Sequence, residues 1–188
     1  MRKQFQVQTD QLLKVLHGAQ DWHVQITNVV ERLEQAFAER KTVFVAGNGG
    51  SATLAQHFSD EMVGRYRTAR PPLPVIALTA DSAVLTCIAN DFGFESIFSR
   101  QIEALGRAGD VLLVFSTSGD SENLRQAIAQ GQKQKLTSIA FTGKRGRLIT
   151  AADMTVIAPS DEPPRIQELH LHAIHLMCEA FEPESFDT

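Results

Sequence analysis

The sequence predicts an α/β protein: a parallel sheet between two layers of helices, preceded by a pair of helices. Five short apolar runs rich in β-branched residues recur along the chain, at 42–47, 73–79, 111–116, 136–143 and 154–159. Each run is continuous rather than alternating, which is typical of strands buried on both faces of a parallel sheet. Helical patterns lie between most of these runs, and this repeated order of strand and helix indicates a three-layer fold.

Composition narrows the class of protein further. The 188 residues are 43% apolar and 21% charged, which excludes a disordered chain and suits one domain over 1–188. The net charge of -4 disfavours binding to nucleic acid. No apolar run is long enough to cross a bilayer, and the N-terminus does not read as a secretory signal, so we expect a cytoplasmic protein without a membrane segment. Cys87 and Cys178 are expected to be buried thiols rather than a disulfide.

Residues 5–40 are predicted to form two helices. The first ends near Gly18, and Asp21 could cap the second. Their apolar stripes must pack either on the main domain or on another subunit, and we expect residues 1–40 to be a helical extension used in oligomerisation. The stripes comprise Leu12, Leu13 and Leu16 in the first helix, and Trp22, Ile26, Val29, Val30, Leu33 and Phe37 in the second.

Further helices are predicted over 51–66, 94–107 and 121–134, and a last helix over 165–182 after Pro163 and Pro164. Asn90-Asp91-Phe92-Gly93 follows a helical stretch after the second strand and has the composition of a turn. Its carboxylate and amide could contact sugar hydroxyls. The tail at 182–188 is expected to fray.

Two loops at predicted strand ends are candidate ligand sites, because ligands of open parallel sheets bind beyond the carboxyl ends of the strands. Gly47-Asn48-Gly49-Gly50-Ser51 would let the backbone approach a ligand, with Ser51 as a helix cap beside an anion site. The alternative is a tight turn with nothing bound. The loop matches neither the Walker pattern nor GxGxxG, so no nucleotide is implied.

The second loop, residues 116–121, carries four hydroxyls before a helix start: Ser116, Thr117, Ser118 and Ser121. Hydroxyls and backbone amides can surround a phosphate without a lysine. One or two of them could serve only as helix caps, but four exceed what capping requires.

Two predicted helices carry candidate metal ligands or acid–base groups. His57 and Glu61 are four residues apart and share a helix face, which suits two metal ligands, a carboxylate that orients an imidazole, or a solvated pair. Asp60 is expected to face elsewhere. The last helix offers Gln167 and His175 with His170 nearby. Together His57, Glu61, Gln167 and His175 would suit Zn²⁺, although these side chains could also decorate a polar face.

Three segments together resemble the phosphoheptose isomerases, a family with the sugar-isomerase (SIS) fold: GNGGSATLAQHFSDEMVGRY, ANDFGFESIFSRQIEALGRAGDVLLVFSTSGDSENL and RIQELHLHAIHL. The resemblance covers nearly the whole chain. The STSG loop alone indicates only a sugar-phosphate-binding SIS domain. The GNGGS helix with His57 and Glu61, combined with the RIQE helix bearing His175, points to this one family.

The resemblance implies a five-stranded parallel sheet and a homotetramer with active sites where subunits meet. It implies conversion of sedoheptulose 7-phosphate to D-glycero-D-manno-heptose 7-phosphate, in heptose biosynthesis. It assigns Glu61 and His175 as the acid–base pair and His57, Glu61, Gln167 and His175 as the zinc site of some members. Phosphate would be bound by Ser116, Thr117, Ser118 and Ser121, and the sugar by Asn48, Gly49, Gly50, Ser51, Asn90, Asp91 and Gln167.

The chemistry suits these residue types, since an enediol pathway needs a base such as Glu61 and a proton donor such as His175. Glu61 and His175 cannot both hold zinc tightly and shuttle protons, so the metal would be either a loosely held Lewis acid or a structural ion. The rival interpretation is a non-catalytic SIS adaptor that binds the replication initiator protein and lacks this pair. A third interpretation is a regulator that senses a sugar phosphate. It ranks lower because the sequence shows no DNA-binding module beside the domain.

Overall fold

A five-stranded, all-parallel sheet forms the centre of the molecule, as the sequence predicts. The computed structural model describes residues 1–183, apart from the side chain of Gln20. The strands lie in the order β2-β1-β3-β4-β5. β1 therefore pairs with both β2 and β3, and the chain reverses its direction of winding at β1. The strand bounds are β1 Val43–Gly47, β2 Val75–Ala77, β3 Val111–Ser116, β4 Thr137–Thr142 and β5 Met154–Ile157.

Helices cover both faces of the sheet and complete the predicted three layers. α2, α3 and α8 pack on one face, and α4, α5, α6 and α7 pack on the other, so each face has its own apolar core. A short 3₁₀ turn at Phe94–Ser96 precedes α5. The helix bounds are α1 Arg2–His17, α2 Gln20–Ala38, α3 Gly50–Val63, α4 Ser82–Phe92, α5 Ser99–Leu105, α6 Glu122–Lys133, α7 Leu148–Ala151 and α8 Pro163–Ala180. Within residues 1–183, none of these helices has the length and apolar character that a bilayer crossing needs.

The two N-terminal helices differ in how they attach. In α2, the predicted stripe is largely buried on the domain, with Trp22 and Leu33 at 2% and 0% exposure. In α1, by contrast, none of the 16 residues, all of them described, is buried. Its link to the domain includes Arg165 of α8, whose guanidinium donates to the Gln8 carbonyl at 2.7 Å. Asp21 lies in the first turn of α2 but does not cap it, because the helix begins one residue earlier, with Ala19 at the N-cap.

Several predicted bounds were wrong for local reasons. Asn90 and Asp91 are helical residues near the end of α4 and do not form a reverse turn. The chain changes direction only at Gly93, whose φ is 88°. The helix predicted over 94–107 is divided into the 3₁₀ turn and α5. Pro163 and Pro164 open α8 instead of preceding it, because the first turn of a helix needs no N–H donors. The predicted frayed tail lies, from residue 184 onward, outside the described residues.

The two cysteines also differ from expectation. Both are free thiols in the described part of the chain, but only Cys178 is buried, whereas Cys87 is exposed on α4. Burial, and then the negative charge of Glu61, raises the pKa of Cys178 to about 12. Cys178 is therefore protonated, and it packs as a small apolar side chain in the core.

His170 is fully buried where α8 crosses the sheet. Its ring lies 5.7 Å from that of Phe115 and 6.0 Å from that of Phe141. Burial lowers its pKa to about 4, against a weaker opposing effect of the Thr142 backbone. Neither ring nitrogen has a hydrogen bond of good geometry within residues 1–183, so the Thr142 contact is a loose one. The ring is neutral in the folded protein.

His170 makes the fold sensitive to acid. The unfolded chain takes up a proton near pH 6.5 and the folded chain only near pH 4, so stability falls as the pH drops through this window. At pH 4.5 we expect His170 to reduce the free energy of unfolding by about 2 to 3 kcal/mol relative to pH 7. Urea unfolding at both pH values should show that difference reduced by this amount in a His170→Leu variant. An equal pH dependence in both proteins would contradict the assignment.

Candidate active site at the carboxyl ends of β1 and β3

The loops that follow β1 and β3 meet in one small cavity. Gly47 at the end of β1 is in register with Phe115 of β3, so both loops start at the same level of the sheet. The cavity has a volume of about 70 Å³ and is lined by Asn48, Ser51, Phe115, Ser116, Thr117, Ser118 and Ser121. Parallel pairing thus brings together two loops that are separated by almost 70 residues of sequence.

The hydroxyls of the second loop converge on this cavity. The Ser116 Oγ lies 3.5 Å from both the Ser118 Oγ and the Ser121 Oγ. The Gly119 amide donates to the Ser116 Oγ at 3.1 Å, and this bond fixes the turn. Among the described residues, no lysine or arginine lines the cavity. An anion there would be held by neutral hydroxyl and amide donors.

The loop between β4 and α7, residues 143–147, was not singled out from the sequence. It supports residues 116–121, the serine loop. Gly119 and Gly146 pack against each other so closely that a Cβ on either would overlap the other segment's backbone. The Leu148 amide donates to the Gly119 carbonyl at 2.9 Å. Arg147 donates from its Nε to the Asp120 carboxylate at 3.1 Å. These contacts hold the serine loop in a single shape.

Two carboxylates beside the serine loop, those of Asp120 and Glu122, form ion pairs with arginines. Hydrogen bonds from the backbone and side chain of Arg147 lower the pKa of Asp120. The side chain of Arg125, followed by that of Gln126, lowers the pKa of Glu122 to about 2. Both carboxylates are therefore ionised at neutral pH, and each is paired with a cation.

The first loop is held in place by its glycines and an amide pair. Gly49 has a φ of 54°, which favours glycine, and it occupies the N-cap of α3. Ser51, predicted as the cap, is instead a buried residue of the first helical turn. The Asn48 and Asn123 side chains exchange two hydrogen bonds of 2.9 Å. Asn123 was missed from the sequence, because nothing in its local pattern reveals a partner on another loop.

Helices α3 and α8 lie side by side and carry the remaining candidate residues. At their starts, Gln167 packs on Gly50 and occupies the space that a Cβ would need. About two turns later, the Nε2 atoms of His57 and His175 are 3.1 Å apart. Since Gly50 meets Gln167 and His57 meets His175, the two helices run parallel. The same face of α3 therefore contacts α8 at the helix starts and again about two turns later.

Glu61 and His175 both approach the Nε2 atom of His57. The Glu61 Oε1 lies 3.8 Å from this nitrogen, on the side of α3 that faces α8. Asp60, expected to face elsewhere, lies 3.4 Å from the other ring nitrogen of His57, Nδ1. A proton on Nδ1 would pair with Asp60 and leave Nε2 as an acceptor, a tautomer that we infer from these contacts.

Tyr66 adds an aromatic ring to this group, whereas His172 lies outside it. Tyr66, which the sequence did not single out, places its ring 5.9 Å from that of His175 at an angle of 30°. His172 faces away from the group and stacks on Trp22 at 5.8 Å. Burial, followed by the nearby His23 and His175, lowers the pKa of His172. His172 and the buried His170 thus lie outside the site.

Within one subunit, Asn90 and Asp91 do not line the serine-lined cavity. Both are exposed on α4, where the Asn90 side chain donates to the Asp91 carboxylate at 2.7 Å. Neither lines the cavity of the serine loop. A single subunit therefore gathers predicted residues into two groups, one at the serine-lined cavity and one where α3 meets α8, and Asn90 and Asp91 belong to neither.

Comparisons with known proteins identify the family to which the chain belongs. The family model of the SIS domain matches residues 4–143. The chain is 44% identical over 162 residues to a phosphoheptose isomerase of Trichlorobacter lovleyi, covering 86% of this chain and 83% of that protein. It is 39% identical to that of Helicobacter pylori, covering 97% of this chain and 94% of that one.

A solved structure has the same architecture from end to end. The phosphoheptose isomerase of Francisella tularensis superposes with a TM-score of 0.91 at 33% identity, covering 95% of this chain and 96% of that one. The likeness includes the helices before the sheet and the helix after it. On sequence and on structure, the chain belongs to the phosphoheptose isomerases of the SIS-domain family.

Proposed function

We propose that this protein isomerises sedoheptulose 7-phosphate to D-glycero-D-manno-heptose 7-phosphate. The observation that carries the proposal is the convergence of the Glu61 carboxylate and the His175 imidazole around the His57 Nε2 atom. A base and a proton donor at one place are what an aldose–ketose isomerisation requires. The serine-lined cavity at the start of the same helix supplies a site for the phosphate.

The spacing along α3 suits a long sugar phosphate. Ser51 lines the phosphate cavity at the helix start, and Glu61 lies further along the same helix. Glu61 and His175 meet at the His57 Nε2 atom, so the relevant distance runs from the helix start to His57. The seven residues from Gly50 to His57 rise about 10 Å. A seven-carbon chain with its phosphate at one end and its carbonyl near the other would place these two groups at the two ends of this stretch.

The proton transfers follow from the two residue types. Glu61 removes a proton from C1 while His175 donates one to the carbonyl oxygen at C2, which gives the enediol. Return of a proton to C2, with loss of the hydroxyl proton at C1, then yields the aldehyde. Acid–base groups placed in this way contribute about 10²- to 10⁴-fold to the rate.

The same side chains would fit a zinc ion. Two nitrogen ligands of a tetrahedral Zn²⁺ lie about 3.3 Å apart, close to the 3.1 Å between the Nε2 atoms of His57 and His175. Glu61, 3.8 Å from the His57 Nε2 atom, would be a third ligand. Gln167 packs on Gly50 about two turns earlier, so its side chain would have to turn toward the ion to be the fourth. Held loosely enough to leave Glu61 and His175 free to exchange protons, the ion would polarise the substrate carbonyl. Asp60, through its contact with Nδ1, orients His57 with Nε2 toward the site.

We further propose a homotetramer in the cytoplasm, with active sites shared between subunits. The exposed residues of α1 include Phe5 at 63% and Leu13 at 48% exposure, and such a helix gains stability by packing on another copy. Asn90 and Asp91, exposed on α4, would then reach a neighbouring site. The adaptor interpretation is disfavoured because the chain retains both Glu61 and His175.

The role of Glu61 can be tested by removing its basicity alone. We expect Glu61→Gln to lower kcat for sedoheptulose 7-phosphate by about 10²- to 10⁴-fold, since the amide cannot accept the C1 proton. Glu31→Gln, an exposed change of the same kind on α2, should keep wild-type turnover. Unchanged turnover in a folded Glu61→Gln protein would refute the base assignment.

The serine loop should determine the affinity for phosphate. Ser118→Ala and Ser121→Ala are each expected to raise KM about 10-fold or more, because each removes a hydrogen bond to a charged group. Competitive inhibition by inorganic phosphate should weaken in parallel, while Ser82→Ala, exposed on α4, serves as the control. If KM and phosphate inhibition stay at wild-type values, the phosphate lies elsewhere.

Shared sites can be detected by mixing two inactive variants. Glu61→Gln and Asp91→Ala are each expected to be impaired as homo-oligomers. If Asp91 serves a neighbour's site, co-expressed mixtures regain activity, because hybrid assemblies contain some sites with both native side chains. Mixtures that are no more active than their parents would place Asp91 outside the partner's site.

A further inference from the structure

A buried ion pair links Arg70, in the segment after α3, to Glu182, two residues beyond the end of α8. The side chains of Arg70 and Glu182 are only 5% and 1% exposed, and the Arg70 Nε lies 3.8 Å from the Glu182 carboxylate. Burying two charges is costly, and such a pair is often no more stabilising than well-packed apolar residues. The hydrogen bonds that Arg70 and Glu182 make to other segments point to a role in positioning those segments.

Arg70 binds the carboxyl end of α3. Its two terminal nitrogens donate to the carbonyls of Glu61 and Met62, both at 3.0 Å. The last carbonyls of a helix lack partners within the helix, and a cation there is favourable. The backbone of Glu61 is thereby fixed at the point where its side chain begins.

Glu182 binds the loop between α3 and β2. Its carboxylate accepts the Thr68 amide at 2.8 Å, the Thr68 hydroxyl at 2.5 Å and the Arg67 amide at 3.4 Å. Burial alone would raise the pKa of Glu182, but the donors of Thr68 and Arg67 and the charge of Arg70 outweigh it and lower the pKa. The same loop carries Tyr66, whose ring lies against His175.

We propose that Arg70 and Glu182 act as a positioning pair that sets the separation between Glu61 on α3 and His175 on α8. The inference rests on the proposed isomerase function of these two side chains. Through Arg70 the pair holds the backbone of Glu61, and through Glu182 it holds the Tyr66 loop against His175. Neither residue contacts the substrate cavity, so both act through other side chains.

A second ion pair provides a matched control. Arg67 and Glu179 join the same loop to the last turn of α8, 3.2 Å apart, with side chains that are 50% and 39% exposed. An exposed pair of this kind contributes little to stability, and the contact of the Arg67 guanidinium with the Tyr66 ring, 5.4 Å from its centroid, does not involve Glu179. Glu179→Gln therefore removes the same charge, one turn earlier, without disturbing the buried contacts.

The first measurement separates kcat from KM. Glu182→Gln is expected to lower kcat about 10- to 100-fold while KM stays within about two-fold, because misplacement of about 1 Å impairs proton transfer but leaves the phosphate cavity intact. Glu179→Gln should leave both constants unchanged. Thr68→Val keeps both charges buried and removes one donor to Glu182, so a folded protein with a loss of about three-fold or more in kcat is expected even where Glu182→Gln does not fold.

The second measurement does not depend on turnover. In protein with isotope-labelled histidine, the imidazole resonances of His57 and His175 should shift or broaden in Glu182→Gln and Thr68→Val but not in Glu179→Gln. Wild-type resonances and wild-type kcat in folded Thr68→Val and Glu182→Gln would overturn the positioning role. A wild-type protein that leaves sedoheptulose 7-phosphate unchanged would instead refute the proposed function, and the resonances would still decide the positioning role.

Discussion

The parallel pairing of β1 with β3 is the constraint on which the site depends. Both strands are buried along their whole length, so a shift in their register would remove apolar side chains from both cores. With Gly47 level with Phe115, the two loops leave the sheet side by side. The amide pair of Asn48 and Asn123 then joins the loops directly. A cavity that needs both loops is thus held by two fully buried strands in the interior of the sheet.

A second constraint is the parallel packing of α3 on α8, which joins the early part of the chain to its last helix. Gly50 allows the close approach at the helix starts, and Gln167 fills the space that its missing side chain leaves. From that contact, the similar spacings of seven and eight residues carry both helices forward to His57 and His175. The acid–base group therefore follows from helix geometry once this first contact is made. Flexible loops alone would not hold these side chains so closely.

Much of the fold could be predicted from sequence because buried parallel strands read as continuous apolar runs. The pairing of His57 with Glu61 was also visible, since it lies within one helix. Asp60 was misjudged because its contact depends on the ring orientation of His57, which is set by His175 far away in sequence. Asn90 and Asp91 resemble turn residues in composition, yet the helix continues through them to Gly93. Tyr66 and Asn123 gave no local signal, because their partners lie on other segments.

The serine loop shows how a site without a cation of its own can favour an anion. Asp120 and Glu122 flank it and would repel a phosphate, but Arg147 and Arg125 pair with them. Because each ionised carboxylate has an arginine partner, the local charge is balanced at neutral pH, where a phosphate monoester, with a pKa near 6, carries most of its second charge. Recognition then depends on the directions of hydroxyl and amide donors rather than on net positive charge. Such a site discriminates by shape, which suits a ligand whose other end must reach Glu61 and His175.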